Sequence, residues 1–102
     1  MKIFAVLDVK ASFFMNPRVQ RSAVQALRDF EQAVNGKDTQ FRQFPDDFAL
    51  CELGDFDVET GKITPAASPV NLGSARSVLR DSPLSSVARL SDAQAAAESF
   101  RQ

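Results

Sequence analysis

The chain opens with an alternation that leaves neither side polar. In KIFAVLDV, residues 2–9, Ile3, Ala5, Leu7 and Val9 fall on one side of an extended backbone and Phe4 and Val6 on the other. A strand apolar on both sides is expected to be covered on both, the second cover being another subunit. Residues 10–19, KASFFMNPRV, read as a loop, because Asn16-Pro17 breaks regular structure just after Phe13, Phe14 and Met15. From residue 20 to 34 the apolar period becomes helical. Ala23, Leu27, Phe30 and Val34 recur on one side, joined by Val24 and Ala26, and Gln25, Arg28, Asp29 and Gln32 take the other. Asn35-Gly36 offers the left-handed residue that often ends a helix.

Residues 36–47 form a polar loop holding Phe41 and Phe44, and DFALCEL, residues 47–53, is strand-like. GDFDVETGKIT then predicts a hairpin between short strands, with Val58 to Gly61 as the connection. Its Phe side chains are expected to face the core while the acids keep edge and turn soluble. Beyond Pro65 the character changes. Residues 66–90 are rich in Ala, Ser and Pro, with Arg76, Arg80 and Arg89 spaced through them, and read as a flexible arm with room for a short helical stretch. SDAQAAAESFR, residues 91–101, predicts a terminal helix capped by Ser91, with Phe100, Ala93, Ala96 and Ala97 as the stripe it must pack on something. The pattern thus predicts an α+β fold. A β-α-β-β core domain spans residues 1–66, and an arm with a terminal helix spans residues 67–102. Doubly apolar strand and unsupported helix together point to a homo-oligomer, a dimer.

A length of 102 residues suits one such core. Nine Phe with no Trp or Tyr supply ring area without a polar handle, so the rings are core members or stacking surfaces. A single cysteine, Cys51, excludes an intrachain disulfide and fits a reducing compartment. The apolar run Ile3 to Leu7 is too short for a signal-peptide core, and no stretch is long enough to span a bilayer. A soluble, cytoplasmic protein is expected.

The absence of histidine removes the imidazole-based hydrolase arrangements and histidine zinc sites. Cys51, between Leu50 and Glu52 in a strand, reads as a small buried hydrophobe. The glycines are isolated at turns, so no phosphate loop is present. DFDVETG has the alternating acids of a calcium loop, but its glycine falls one position late, no distal Glu follows, and an acidic β-turn explains it. Asp46-Asp47 lacks a partner base. No catalysis, cofactor or metal is expected.

Charge is more informative than chemistry here. The net charge of −1 gives no global pull on nucleic acid, so any such binding must be local. Between residues 10 and 42 stand six cations, Lys10, Arg18, Arg21, Arg28, Lys37 and Arg42, against three acids. Between residues 46 and 59 stand six acids and no base. Cations interleaved with Phe13, Phe14 and Phe41 are the ingredients of single-strand binding, phosphate contacts plus stacking rings. The same residues also suit a solvated helix face over a core of rings. Separated charge further suits head-to-tail contact between subunits.

Three stretches together, MKIFAVLDVKASFFMNP, RSAVQALRDFEQAVN and FPDDFALCELGDFDVETGKI, resemble the small nonstructural proteins of microviruses, the gokushovirus-like single-stranded DNA phages. The residues carrying the resemblance are Lys2, Ala5 and Asp8; Phe14 and Pro17; Ala26, Arg28, Phe30, Val34 and Asn35; and Pro45, Asp47, Phe48, Leu50, Gly54, Phe56, Asp57 and Gly61. It covers residues 1 to about 65 and is most specific in its last segment. The aromatic pair often found beside the family proline is missing near Arg18, and nothing after Pro65 matches. The resemblance implies a nonenzymatic accessory role in phage DNA replication, with DNA binding, in the host cytoplasm. Under that reading Lys10, Arg18, Arg21, Arg28, Lys37 and Arg42 contact the phosphates of single-stranded DNA and Phe13 or Phe14 stacks on its bases. The rival reading is an interaction protein that engages phage or host replication factors through the acidic hairpin and the arm.

Overall fold

A computed structural model describes residues 1–80. Five strands form one antiparallel sheet: β1 (Lys2–Asp8), β2 (Phe13–Phe14), β3 (Arg18–Gln20), β4 (Phe48–Phe56) and β5 (Ile63–Ser74). Three helices accompany them: α1 (Ala23–Val34), α2 (Gln40–Gln43) and α3 (Ala75–Val78). The sheet order is β2-β1-β4-β5, and β3 lies beside β2 on the same side of β1.

The expected loop at residues 10–19 is thus a turn and a strand edge. Asp8 makes the turn, its carboxylate accepting from the Ala11 amide at 2.9 Å and its carbonyl from the Ser12 amide at 2.8 Å. β2 and β3 then form one interrupted strand. Leu7 pairs with Phe14 but Phe4 with Arg18, so the outer strand carries one residue more than β1 between them. Asn16-Pro17 occupies that interruption, where a residue without an amide proton costs the ladder nothing.

Helix α1 begins as its sequence dictates. Ser22 accepts from the Gln25 amide at 3.2 Å, and Ala26, Phe30 and Val34 bury the apolar stripe. Its end differs from expectation. Asn35 stays at φ −90°, and the left-handed residue is Asp38, just before α2. The Asn35 side chain is used instead. Its Nδ2 donates to the Glu31 carbonyl at 2.8 Å and to the Val78 carbonyl at 2.9 Å, and its Oδ1 accepts from the Arg80 amide at 2.6 Å. One side chain therefore caps α1 and fastens the chain after α3.

The expected arm is corrected in the same way. Residues 66–74 belong to β5, which pairs along β4 from Phe56↔Ile63 to Ala49↔Ser74. The boundary anticipated at residue 66 therefore falls inside a strand, and Ala75 of α3 is fully buried in the core. Residues 66–69 stand opposite Leu53 alone, a bulge that absorbs Ala66, Ala67, Ser68 and Pro69. β4 and β5 approach closely at Gly54, where a Cβ would collide with the Thr64 carbonyl oxygen and come within 2.9 Å of the Pro65 Cα. The expected terminal helix at residues 91–101 lies outside the described residues.

All three helices pack on one face of the sheet. Phe4, Phe48 and Leu50 meet Ala26, Phe30, Val34 and Ala75 in a single cluster, and Phe41 joins it edge-on to Phe30 and Phe48. Truncating Phe30 here would cost about 3–5 kcal/mol. By strand alternation Ile3, Ala5, Leu7, Ala49 and Cys51 face the other way, where none of the described helices packs. Of the two-sided cover expected for β1, the described helices supply one side. Phe48 is a core residue as expected, but Phe44 is 56% exposed.

Candidate nucleic-acid interface

The anticipated site residues divide by their position along α1. Arg18 opens β3, Arg21 precedes the Ser22 cap, and Arg28 lies on the outer side of α1, so these three surround the first half of the helix. Lys37 follows α1 and Arg42 sits half-buried in α2, at the other end. Lys10 and Phe13 belong with that second group. Phe13 pairs with Asp8, Asp8 with Phe48, and the Phe48 ring lies 4.8 Å from that of Phe41 in α2. A helix of α1's length separates the two ends by about 18 Å. The cations thus form two groups on the helical side of the sheet. Phe13, 55% exposed, shares that side by strand alternation, whereas Phe14 points to the opposite face.

The partners of these cations distinguish them from the rest. Among the described residues, none of Lys10, Arg18, Arg21, Arg28, Lys37 and Arg42 forms an ion pair. The remaining described cations mostly do. Lys2 reaches Asp55 at 3.0 Å and Glu52 at 3.4 Å, and both carboxylates, Asp55 foremost, hold its ammonium above the ordinary range. Arg76 grips Asp46 with two bonds, at 2.6 and 3.0 Å, holding that carboxyl below its usual range. Arg80 reaches Glu31 at 3.8 Å.

The acidic hairpin tip is built as a turn. Asp57 accepts from the amides of Glu59 at 2.9 Å and Thr60 at 3.3 Å, and these bonds lower its pKa. The connection runs from Asp57 to Lys62, two residues longer than expected. Among the described residues no cluster of potential metal ligands occurs. Cys51 is 2% exposed and burial pushes its thiol up, which suits a packing residue.

Between the two cation groups, under α1, lies an open pocket of about 320 Å³. Its floor is Phe4, Val6 and Leu50, and Phe30 and Phe41 line it from the helices. Asn16, Arg18, Gln20 and Asp29 are its polar members. The Gln20 amide donates to Asp29, tying β3 to α1 across the opening. Apart from Arg18 and Phe41, sequence pattern pointed to none of these as site residues. The short strand that puts Arg18 and Gln20 on one face carries too little periodicity to be seen.

A family model described as Phage ORF5 protein matches residues 1–78, from the start of β1 to the end of α3. The chain belongs to the phage ORF5 protein family. Its match extends past residue 65, where the recognisable motifs stop, and includes β5 and α3 in the family's unit. Neither a curated protein nor a solved structure matches the chain. Among the residues that carry the sequence resemblance, several hold the fold together: Lys2 by ion pairs, Asp8 and Asp57 by turns, Asn35 by its staple and Gly54 by close approach. No helix among the described residues is long and apolar enough to cross a membrane.

Proposed function

We propose that this phage protein binds single-stranded DNA during viral DNA replication, as a nonenzymatic accessory factor of the microviral type in the host cytoplasm. The observation that carries this reading is the set of six cations that form no ion pair among the described residues, whereas Lys2, Arg76 and Arg80 are engaged by acids. An unpaired guanidinium keeps its donors for phosphate, whereas one already bound to a carboxylate must break that bond first. Exposed Phe13 adds a ring beside the second cation group. The protein acts as a homodimer, so that two short cationic surfaces meet one strand.

Titrating single- and double-stranded DNA at several salt concentrations tests this. Affinity for the single strand is expected to fall steeply with salt, with a logarithmic slope of about −0.7 for each phosphate engaged. Salt-independent binding, or none at low salt, would remove the assignment. A second reading, an interaction factor for replication proteins, draws on the hairpin tip. There Val58 and Ile63 are 66% and 62% exposed beside Asp55, Asp57 and Glu59. A nuclease-treated pull-down from infected host lysate separates the two, since only the second survives loss of nucleic acid.

A further inference from the structure

Phosphate contact and surface stacking leave the pocket under α1 unused. Its volume of about 320 Å³ is near the lower limit of small-molecule sites and gives room for one base. Phe30 and Phe41 meet edge to face at 5.9 Å in its wall, and Met15 adds a polarisable edge.

The polar groups at the opening are arranged asymmetrically. Asp29 has no ion pair among the described residues, and its two oxygens accept from the side-chain amides of Gln20 and, at 3.0 Å, Gln25. The Asp29 carboxylate keeps lone pairs on both oxygens, so the one anionic group at the opening still accepts from an incoming donor, beside the neutral amides of Asn16 and Gln20. Arg18, also unpaired, stands beside them as the cation. A bare phosphate deep in the pocket would meet the Asp29 carboxylate and be repelled. A ligand with an aromatic body, an amino edge and an anionic tail meets all three features.

We propose that this pocket receives one unstacked, amino-bearing base of a DNA single strand, its amino group against Asp29 and Gln20 and its phosphate on Arg18. The ligand class rests on the single-strand reading above; the pocket adds base selection to it. Cytosine and thymine separate the idea cleanly, because they are nearly equal in size and differ at one position, an N4 amino donor against an O4 acceptor.

The experiment titrates the full chain with short oligo(dC) and oligo(dT) by fluorescence anisotropy, using wild type, Arg18→Ala and Ala33→Phe. Ala33 lines the pocket and is exposed, so a ring there fills the space without entering the core. In parallel, amide shifts of the wild type are followed with deoxycytidine 5′-monophosphate. The expected result is about fivefold tighter binding of oligo(dC). This preference disappears in Ala33→Phe while the salt slope persists, and amide shifts centre on Gln20, Asp29 and Phe41. Equal binding of both oligonucleotides, unchanged by Ala33→Phe, overturns the pocket and leaves backbone binding standing. Failure to bind either oligonucleotide at low salt overturns both. Should Ala33→Phe fail to fold, the shift map and Arg18→Ala decide: shifts away from the pocket, with an equal loss for the two strands, overturn the base site.

Discussion

Arg76 and Arg80 carry the same guanidinium as Arg21 and Arg28, and the fold uses the two pairs in opposite ways. Arg76 is held by Asp46 and lies in α3, whose backbone is joined to the Pro45 carbonyl at 3.0 Å. Arg80 lies beside the Asn35 staple and Glu31. Arg21 and Arg28 have no such partners among the described residues. One pair closes the molecule on itself; the other leaves its donors to whatever arrives. Residue type and exposure alone do not reveal this division, since all four side chains are exposed.

The largest test of the contrast reverses the free pair. Arg21→Glu with Arg28→Glu should reduce single-strand affinity by about a hundredfold at low salt and flatten the salt slope by one to two units. Its melting temperature should stay near that of the wild type; a large drop would mean these arginines also hold the fold. Next comes Asn35→Ala, which removes three hydrogen bonds at the junction of α1 and α3. A loss of about 2 kcal/mol is expected by chemical denaturation, with affinity for DNA unchanged. If binding fell as well, the closing and the receiving regions would be one.

Smaller still is Arg76→Ala, an exposed pair whose removal should shift the melting temperature only slightly and leave the salt slope alone. The smallest effect is one of acidity. Asp46 and Asp57 have folded pKa values held below the ordinary 3.8, by Arg76 and by the Glu59 and Thr60 amides respectively. Their ionised forms therefore favour the fold above that value, and the benefit fades as pH falls through the depressed folded values. Thermal melts should show an acid limb below about pH 4 that is shallower in Asp57→Asn.

What the sequence reveals follows from where each element finds its partners. Helix α1 is legible because Ser22, Ala26, Phe30 and Val34 carry cap and stripe within one local segment. The burial of Cys51 and the turn at Asp57 are legible for the same reason. Strand β5 is not. Most of its residues are exposed, so no alternation marks it, and beyond the hairpin turn its ladder is interrupted by the bulge at residues 66–69. Pro65 and Pro69, read as punctuation, are tolerated because β5 borders the sheet. Similarly β2 and β3 are too short for a period of two to register. The candidate cations were visible as charge, but their freedom from partners is a property of the folded molecule. So is the Gln20–Asp29 link that shapes the pocket opening.

Proline interrupts the β2–β3 margin at Pro17, and the opposite margin, β5, carries Pro65 and Pro69. Each removes an amide that an incoming strand would use, so the sheet resists polymerising sideways into fibrils.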